Sequence, residues 1–175
     1  QPRKGVTVAA PTKEETKDIF EARRLIEPWI VGQLCEHCSR NKVLGLKKIV
    51  REENQAHQRG ERHLAVRLSG EFHRALAQAV GNRALIKTMD ELTLRTCLAI
   101  LGNKASTRVT CRDDEHQKIV QAIEANDTKT AAKLMVNHLQ HIESSLEDSD
   151  KLESQDELDE LLVGLPLVNR KTTKK

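Results

Sequence analysis

The chain has 175 residues, 38% hydrophobic and 31% charged, with a net charge of +3 at pH 7. That is enough to bury the core of one domain with a short appendage, and too small a positive excess for a strong polyanion binder. Phe20, Trp29 and Phe72 are the only aromatic residues and Tyr is absent, which speaks against a single-strand nucleic-acid binder, whose bases need stacking platforms, and against a β-sandwich.

Residues 1–11 differ in character from the rest of the chain. Lys4-Gly5 reads as a turn and Val6-Thr7-Val8 as a β-branched run that Pro11 closes. A strand this short cannot stand alone, so it reads as either disordered or the remnant of a sheet belonging to a longer protein. Thr12 is an expected N-cap, with Glu15 completing a capping box and Glu14 favouring the helix dipole. Apolar residues then recur at Ile19, Ala22, Ile26, Ile30 and Leu34 with helical spacing. Pro28 removes a backbone donor and predicts a kink or split near Glu27.

A second helix is expected over Val43–Arg59, burying Leu44, Leu46, Ile49 and Val50, with Gly60 ending it. The third runs from Glu61 to Val80, with Leu64, Leu68, Phe72, Leu76 and Val80 at steps of four. Gly81 suits the left-handed position after a helix, and Asn82 the cap of the next. The fourth covers Arg83–Leu101, apolar at Leu85, Ile86, Met89, Leu92, Leu94, Cys97 and Leu98. Gly102-Asn103 stops it and Lys104–Arg112 is a polar connection. The fifth, Asp113–Glu124, carries Ile119, Val120 and Ile123; Asn126-Asp127 turns the chain into a sixth, from Thr128 to about Leu146. Every segment after Thr12 has the helical period and none alternates, so the fold class is all-α, an antiparallel bundle over residues 12–146. Residues 147–175 read as a flexible charged tail, acidic over Glu147–Glu160 and basic from Arg170, with a short amphipathic helix at Leu158, Leu161 and Leu162.

No apolar run approaches the roughly 20 residues that cross a bilayer, and no signal-peptide layout opens the chain, so it reads as cytoplasmic with no membrane partner. Its four cysteines then read as reduced thiols. Cys35 and Cys38 form a C-x-x-C pair, but Cys97 and Cys111 are not paired at matching spacing, which favours small residues near a helix end over a zinc knuckle.

His73 lies on the third helix, one turn after Ser69 on the same face; His116 opens the fifth; His138 sits mid-sixth, a turn before His141. Three histidines from three helices can converge inside a bundle, hold Zn²⁺, Ni²⁺ or a related ion, and leave a position for a small-molecule oxygen. The alternative is that they are surface or hydrogen-bonded residues, as His37, His57 and His63 read. Arg23 either pairs with Glu27, one turn on, or turns its guanidinium into the bundle cavity to clamp a carboxylate. Arg24 points elsewhere and reads as surface, while Arg95 is a second candidate cation for the same cavity.

Glu21-Ala-Arg-Arg-Leu-Ile-Glu-Pro28, Leu68-Ser-Gly-Glu-Phe-His-Arg-Ala-Leu76, Gly81-Asn82, Glu115-His116 and Met135-Val-Asn-His-Leu139 occur in that order. Together, over about Lys13–Leu146, they resemble the FCD effector domain of GntR-family transcription regulators of the FadR subfamily. Lys4-Gly-Val-Thr-Val8 is similar to the last wing strand of that family's winged helix-turn-helix domain, which places DNA binding in a part outside this chain. The resemblance implies a six- or seven-helix bundle, a homodimer, and a cavity for a small-molecule carboxylate effector, with no catalysis. It also implies a divalent metal (Zn, Ni or Mn) held by an Asp and three histidines. By position these are His73, His116 and His138, while Ser69 stands where the Asp is expected. A serine hydroxyl is a poor neutral ligand, so the set loses a negative charge and affinity, and water or the effector's carboxylate completes the coordination. Arg23 matches the arginine that faces the effector.

Two other readings stay open. A helical metallohydrolase needs a general base at the metal, for which Glu71 and Glu115 are poorly placed by spacing. A structural dimerisation module needs only satisfied histidines. Apolar residues on the first and fourth helices are the candidate dimer face.

Overall fold

The computed structural model describes residues 10–103 and 114–163, with 148–163 as backbone. It contains six helices in chain order: α1 (Lys13–His37), α2 (Arg40–Gln58), α3 (Arg62–Val80), α4 (Arg83–Gly102), α5 (Glu115–Glu124) and α6 (Thr128–Val163). This is the all-α bundle expected. The Val6–Val8 strand, the connection 104–113 with Cys111, and the chain beyond 163 lie outside the described residues.

Local signals set the helix ends. Thr12 and Glu15 form the reciprocal box: Thr12 Oγ1 accepts the Glu15 N–H at 3.2 Å and Glu15 Oε2 accepts the Thr12 N–H at 2.8 Å. Gly81, at φ +85°, turns α3 into α4, and Asn82 Oδ1 accepts from the N–H groups of Ala84 and Leu85. Asn126 takes the left-handed φ of 55° before α6, whose first turn donates the Thr130 N–H to Asp127 Oδ1. Connections this short force successive helices into contact, and α2 packs on α3, α3 on α4 and α5 on α6. The axis is α1, which touches α3, α4, α5 and α6.

Pro28 does not split α1, which runs unbroken from Lys13 to His37. An interior proline costs roughly 3 kcal/mol or more. Ile19 and Phe20 before it and Ile30, Val31 and Leu34 after it are all buried in the bundle, each worth about 1.5–3 kcal/mol, so burial on both sides wins. Two further expectations are corrected. Leu44 and Leu94 point outward, 53% and 60% exposed; the buried face of α2 is instead Val43, Leu46, Val50, Glu53 and Ala56. Nor does α6 end near Leu146: its backbone stays helical to Val163, because no glycine or proline interrupts the chain between Thr128 and Gly164.

One glycine answers a close approach rather than a turn. A Cβ on Gly70 of α3 would lie 2.8 Å from Cys97 Sγ of α4, so this residue lets the two helices meet less than one turn from His73. No helix among the described residues is long and apolar enough to cross a membrane.

Candidate metal centre

His73 of α3, His116 of α5 and His138 of α6 are each only 3% exposed. Their rings meet in the interior, with ligand atoms within 4.8 Å of one another. His138 Nε2 lies 3.1 Å from His116 Nε2 and 3.2 Å from His73 Nε2. Phe72, the neighbour of His73, packs its ring 4.2 Å from the His116 ring and edge-on to His73, which restrains both imidazoles.

The other ring nitrogen of each histidine faces a carboxylate. His73 Nδ1 is 2.5 Å from Glu27 Oε2 of α1, His116 Nδ1 is 2.7 Å from Glu53 Oε2 of α2, and His138 Nδ1 is 2.9 Å from Glu115 Oε2 of α5. Only Nδ1–H can donate to an ionised carboxylate, so the Nε2 lone pairs are the ones that converge. Bare lone pairs at about 3 Å repel one another unless a cation lies among them. Zn–N bonds of 2.0–2.1 Å in a tetrahedral set separate nitrogens by about 3.3 Å, close to the spacings found. The donor set therefore fits a divalent metal on chemistry and on distance.

Burial pulls His73 down to about 3, against the attraction of Glu27, and burial with the neighbouring His116 takes His138 down to about 4. Both rings are neutral at pH 7, as ligation requires. For Glu27 burial works the other way, but Arg23 and the hydrogen bonds from His73 and Arg23 outweigh it and hold the carboxyl at about 2. Glu53 is held at about 2 in the same manner by His116. Burial opposes the charge of Glu115 too, and the hydrogen bond from His138 still brings its carboxyl below the usual range.

Arg23 pairs with Glu27, the simpler of its two readings, and its guanidinium also borders a small interior cavity. Its Nε donates to Glu27 Oε1 at 2.6 Å and its Nη1 to Thr96 Oγ1 at 3.2 Å, yet Nη2 is buried with no hydrogen-bond partner. The side chain is 3% exposed and lines a cavity of about 20 Å³ with Ser69, His73, Thr93, Thr96 and His138, room for about one water. A buried charged donor left unmatched is costly, and Nη2 is that donor here. On the far side of His138, Glu115, Asn137, Lys118 and His141 line an open cleft of about 510 Å³. A cleft of about 690 Å³ beside the start of α1 holds none of the histidines.

Other expectations fare differently. Ser69 lies in the cavity wall beside His73, half-buried. Arg95 does not reach the cavity: it is half-buried and pairs with Glu15 at 2.9 Å, because its position on α4 faces the first turn of α1. Arg24 is not a free surface residue but joins Glu143 of α6. His37 and His63 are exposed as expected, whereas His57 is half-buried, its Nε2 3.9 Å from Glu53 Oε1. Cys35 is buried and Cys38 ends α1; both are free, and burial pushes both thiols up, which favours packing over zinc ligation. Glu71 is taken up by Arg74 at 3.1 Å, and Glu115 by His138 and His141, so neither stands free as a general base. The sequence reading missed Glu27 and Glu53 as histidine partners. Their signal was a carboxylate on an apolar helix face, Glu27 between Phe20 and Ile30 and Glu53 one turn after Val50.

Residues 18–141, most of the chain and all of the histidine cluster, match the FCD domain. The chain belongs to the FCD family. The likeness to GntR-type regulators read in its ordered sequence pieces stands with it. The Uxu operon regulator of Haemophilus influenzae is 24% identical over 135 residues, covering 74% of this chain and 50% of that protein. The HTH-type transcriptional regulator LutR of Bacillus subtilis is 26% identical over 140 residues, covering 77% and 63%. The FCD chain thus spans half to somewhat under two thirds of these curated relatives, both named as regulators. In fold it is similar to Streptococcus agalactiae GntR, with a TM-score of 0.64 at 24% identity over 74% of this chain and 58% of that one. It is also similar to E. coli McbR/YncC, with a TM-score of 0.72 at 15% identity over 85% and 75%.

Proposed function

We propose that this FCD domain is the effector-sensing and dimerisation part of a cytoplasmic GntR-type transcription regulator of the FadR subfamily. In this reading it takes up a small organic acid beside a divalent metal and so alters DNA binding by a winged helix domain outside this chain. The observation that carries the reading is three converging Nε2 lone pairs beside the unmatched Nη2 of Arg23, which shares a cavity with His73 and His138.

His73, His116 and His138 would hold the metal (Zn, Ni or Mn), which supplies a positive point charge and open coordination for an effector oxygen. Arg23 receives the effector's carboxylate through Nη2, held in position by Glu27 and Thr96. Ser69, Thr93 and Thr96 line the same cavity, with the Thr93 and Thr96 hydroxyls donating to the carbonyls of Met89 and Leu92.

A cavity of about 20 Å³ admits a metabolite only if a wall gives way. α4 supplies Thr93, Thr96, Cys97 and Ile100 to that wall, so effector binding favours an arrangement with α4 displaced. That difference in affinity between two arrangements is what a population shift requires. Leu94 on the outer side of α4 and Leu25 and Trp29 on the outer side of α1 are exposed by 60%, 75% and 49%. They are the apolar residues a second copy would cover, linking the wall to the spacing of two DNA-binding domains.

Isothermal titration of the metal-free chain with Zn²⁺, Ni²⁺ and Mn²⁺, then of the loaded chain with a panel of small mono- and dicarboxylates, tests this. Metal binding at one site, with carboxylate binding that disappears in Arg23→Met, is expected. No carboxylate binding in any metal state ends the sensor reading.

A further inference from the structure

Three histidines are neutral ligands, and Ser69 adds no charge to them. The charge is instead one layer out. Glu27, Glu53 and Glu115 each accept a hydrogen bond from one of the three rings, and each comes from a helix other than that ring's own. Among the described residues Arg23 is the one cation that pairs with these three carboxylates, which leaves two negative charges around the site, the charge of one divalent ion. Glu27 and Glu53 are only 1% exposed, so water screens them little.

We infer that Glu27, Glu53 and Glu115 are positioning residues of the metal site, fixing each imidazole with its proton on Nδ1 and supplying from outside the ligand set the negative charge that the ligands lack. This inference rests on the proposed metal site and extends it to residues that never touch the ion. Two of the carboxylates have a second partner that makes them struts: Arg23 for Glu27 and His141 for Glu115. The other oxygen of Glu53 makes no hydrogen bond, and His57 Nε2 stands 3.9 Å from it. Rings held from behind in this way do not turn to present Nδ1 instead, and outer carboxylates raise the basicity of the nitrogen opposite.

The test separates charge from geometry. Gln keeps the shape and an acceptor oxygen but not the charge; Ala removes both. Zn²⁺ affinity would be measured by chelator competition, and the protonated ring nitrogen of each histidine by ¹⁵N NMR on the metal-free chain. In the parent, all three rings are expected to carry a proton on Nδ1. Glu53→Gln and Glu115→Gln should each weaken Zn²⁺ 10- to 100-fold with the tautomers kept. Glu53→Ala should disturb His116 alone and Glu115→Ala His138 alone, a one-ring effect that general loosening does not produce. Glu115, 20% exposed, is the variant least prone to misfold. Parent rings protonated on Nε2 rather than Nδ1, or Gln variants that bind Zn²⁺ within twofold of the parent, overturn the inference while leaving the metal site in place. A parent that binds no Zn²⁺, Ni²⁺ or Mn²⁺ overturns both.

Discussion

Between α1, α5 and α6 the interior is aliphatic, with Ile30, Val31, Ile119, Ile123, Met135 and Leu139 at 1% exposure or less. Along the same helices, within a turn or two, it holds Arg23, Glu27, His116 and His138, at 1 to 3% exposure, with Glu53 and His73 arriving from α2 and α3. The two regions are equally dry and energetically opposite. Each apolar side chain in the first contributes about 1.5–3 kcal/mol. Every ion in the second loses its hydration and recovers it only through its partners. The fold stands on the first region and carries the second, which is the relation expected of a site retained for binding.

The strongest way to sharpen this comparison is to strike both regions at once. Phe72→Ala removes a fully buried ring that packs against His73 and His116, and should cost about 3–5 kcal/mol in urea unfolding as well as Zn²⁺ affinity.

Next comes the buried pair. Glu27→Leu alone leaves Arg23 uncompensated and should cost about 3–5 kcal/mol, whereas Arg23→Met with Glu27→Leu should recover most of that loss. The same double variant should bind no carboxylate. A double variant no more stable in urea than the single one would mean that the polar region is not a burden.

Ligation should offset the burden directly. Zn²⁺ at a hundredfold excess over its Kd adds about 2.7 kcal/mol to unfolding, visible as a raised Tm in the parent and absent in His73→Ala with His138→Ala.

A smaller effect comes from pH in the metal-free chain. His73 and His138 remain neutral when folded down to about 3 and about 4, but gain protons near 6.5 when unfolded. The unfolded state binds more protons below that point, so stability is full above about pH 6.5 and is lost as pH falls. Glu27 and Glu53, at about 2 when folded, add a further loss below about 4.5 by the same sign. Tm followed from pH 7.5 to 4 should decline throughout the lower part of that range; a flat profile would contradict the burial of neutral rings.

The least effect on folding is expected on the outer surface. Leu94→Ser should change stability by less than about 0.5 kcal/mol while lowering the apparent mass in analytical ultracentrifugation from that of the proposed dimer to that of a monomer.

Much of this was legible in the chain because it is written locally. The Thr12–Glu15 box, Gly81-Asn82 and the four-residue steps of α3 are short-range patterns, and they place the helix ends and the His73 face. The three histidines were legible as separate residues. The carboxylates behind them were not, because each pairing joins two helices and sequence spacing carries no measure of the distance between helices. Pro28 misled for a related reason: its local cost is outweighed by burial that only the assembled bundle supplies. Arg95 shares a helix with Thr93 and Thr96, but neighbouring positions on a helix point about 100° apart, and that angle takes it to Glu15.

The unbroken run of α6 has a geometric consequence. From His138 to Val163 the helix measures roughly 38 Å at 1.5 Å per residue. A tilt of about 5° at the imidazole carries the far end through roughly 3 Å by the same length. In the proposed reading, where His138 ligates a metal, the helix is a lever arm pivoted on that side chain, turning a small adjustment at the site into a movement a neighbouring molecule can feel.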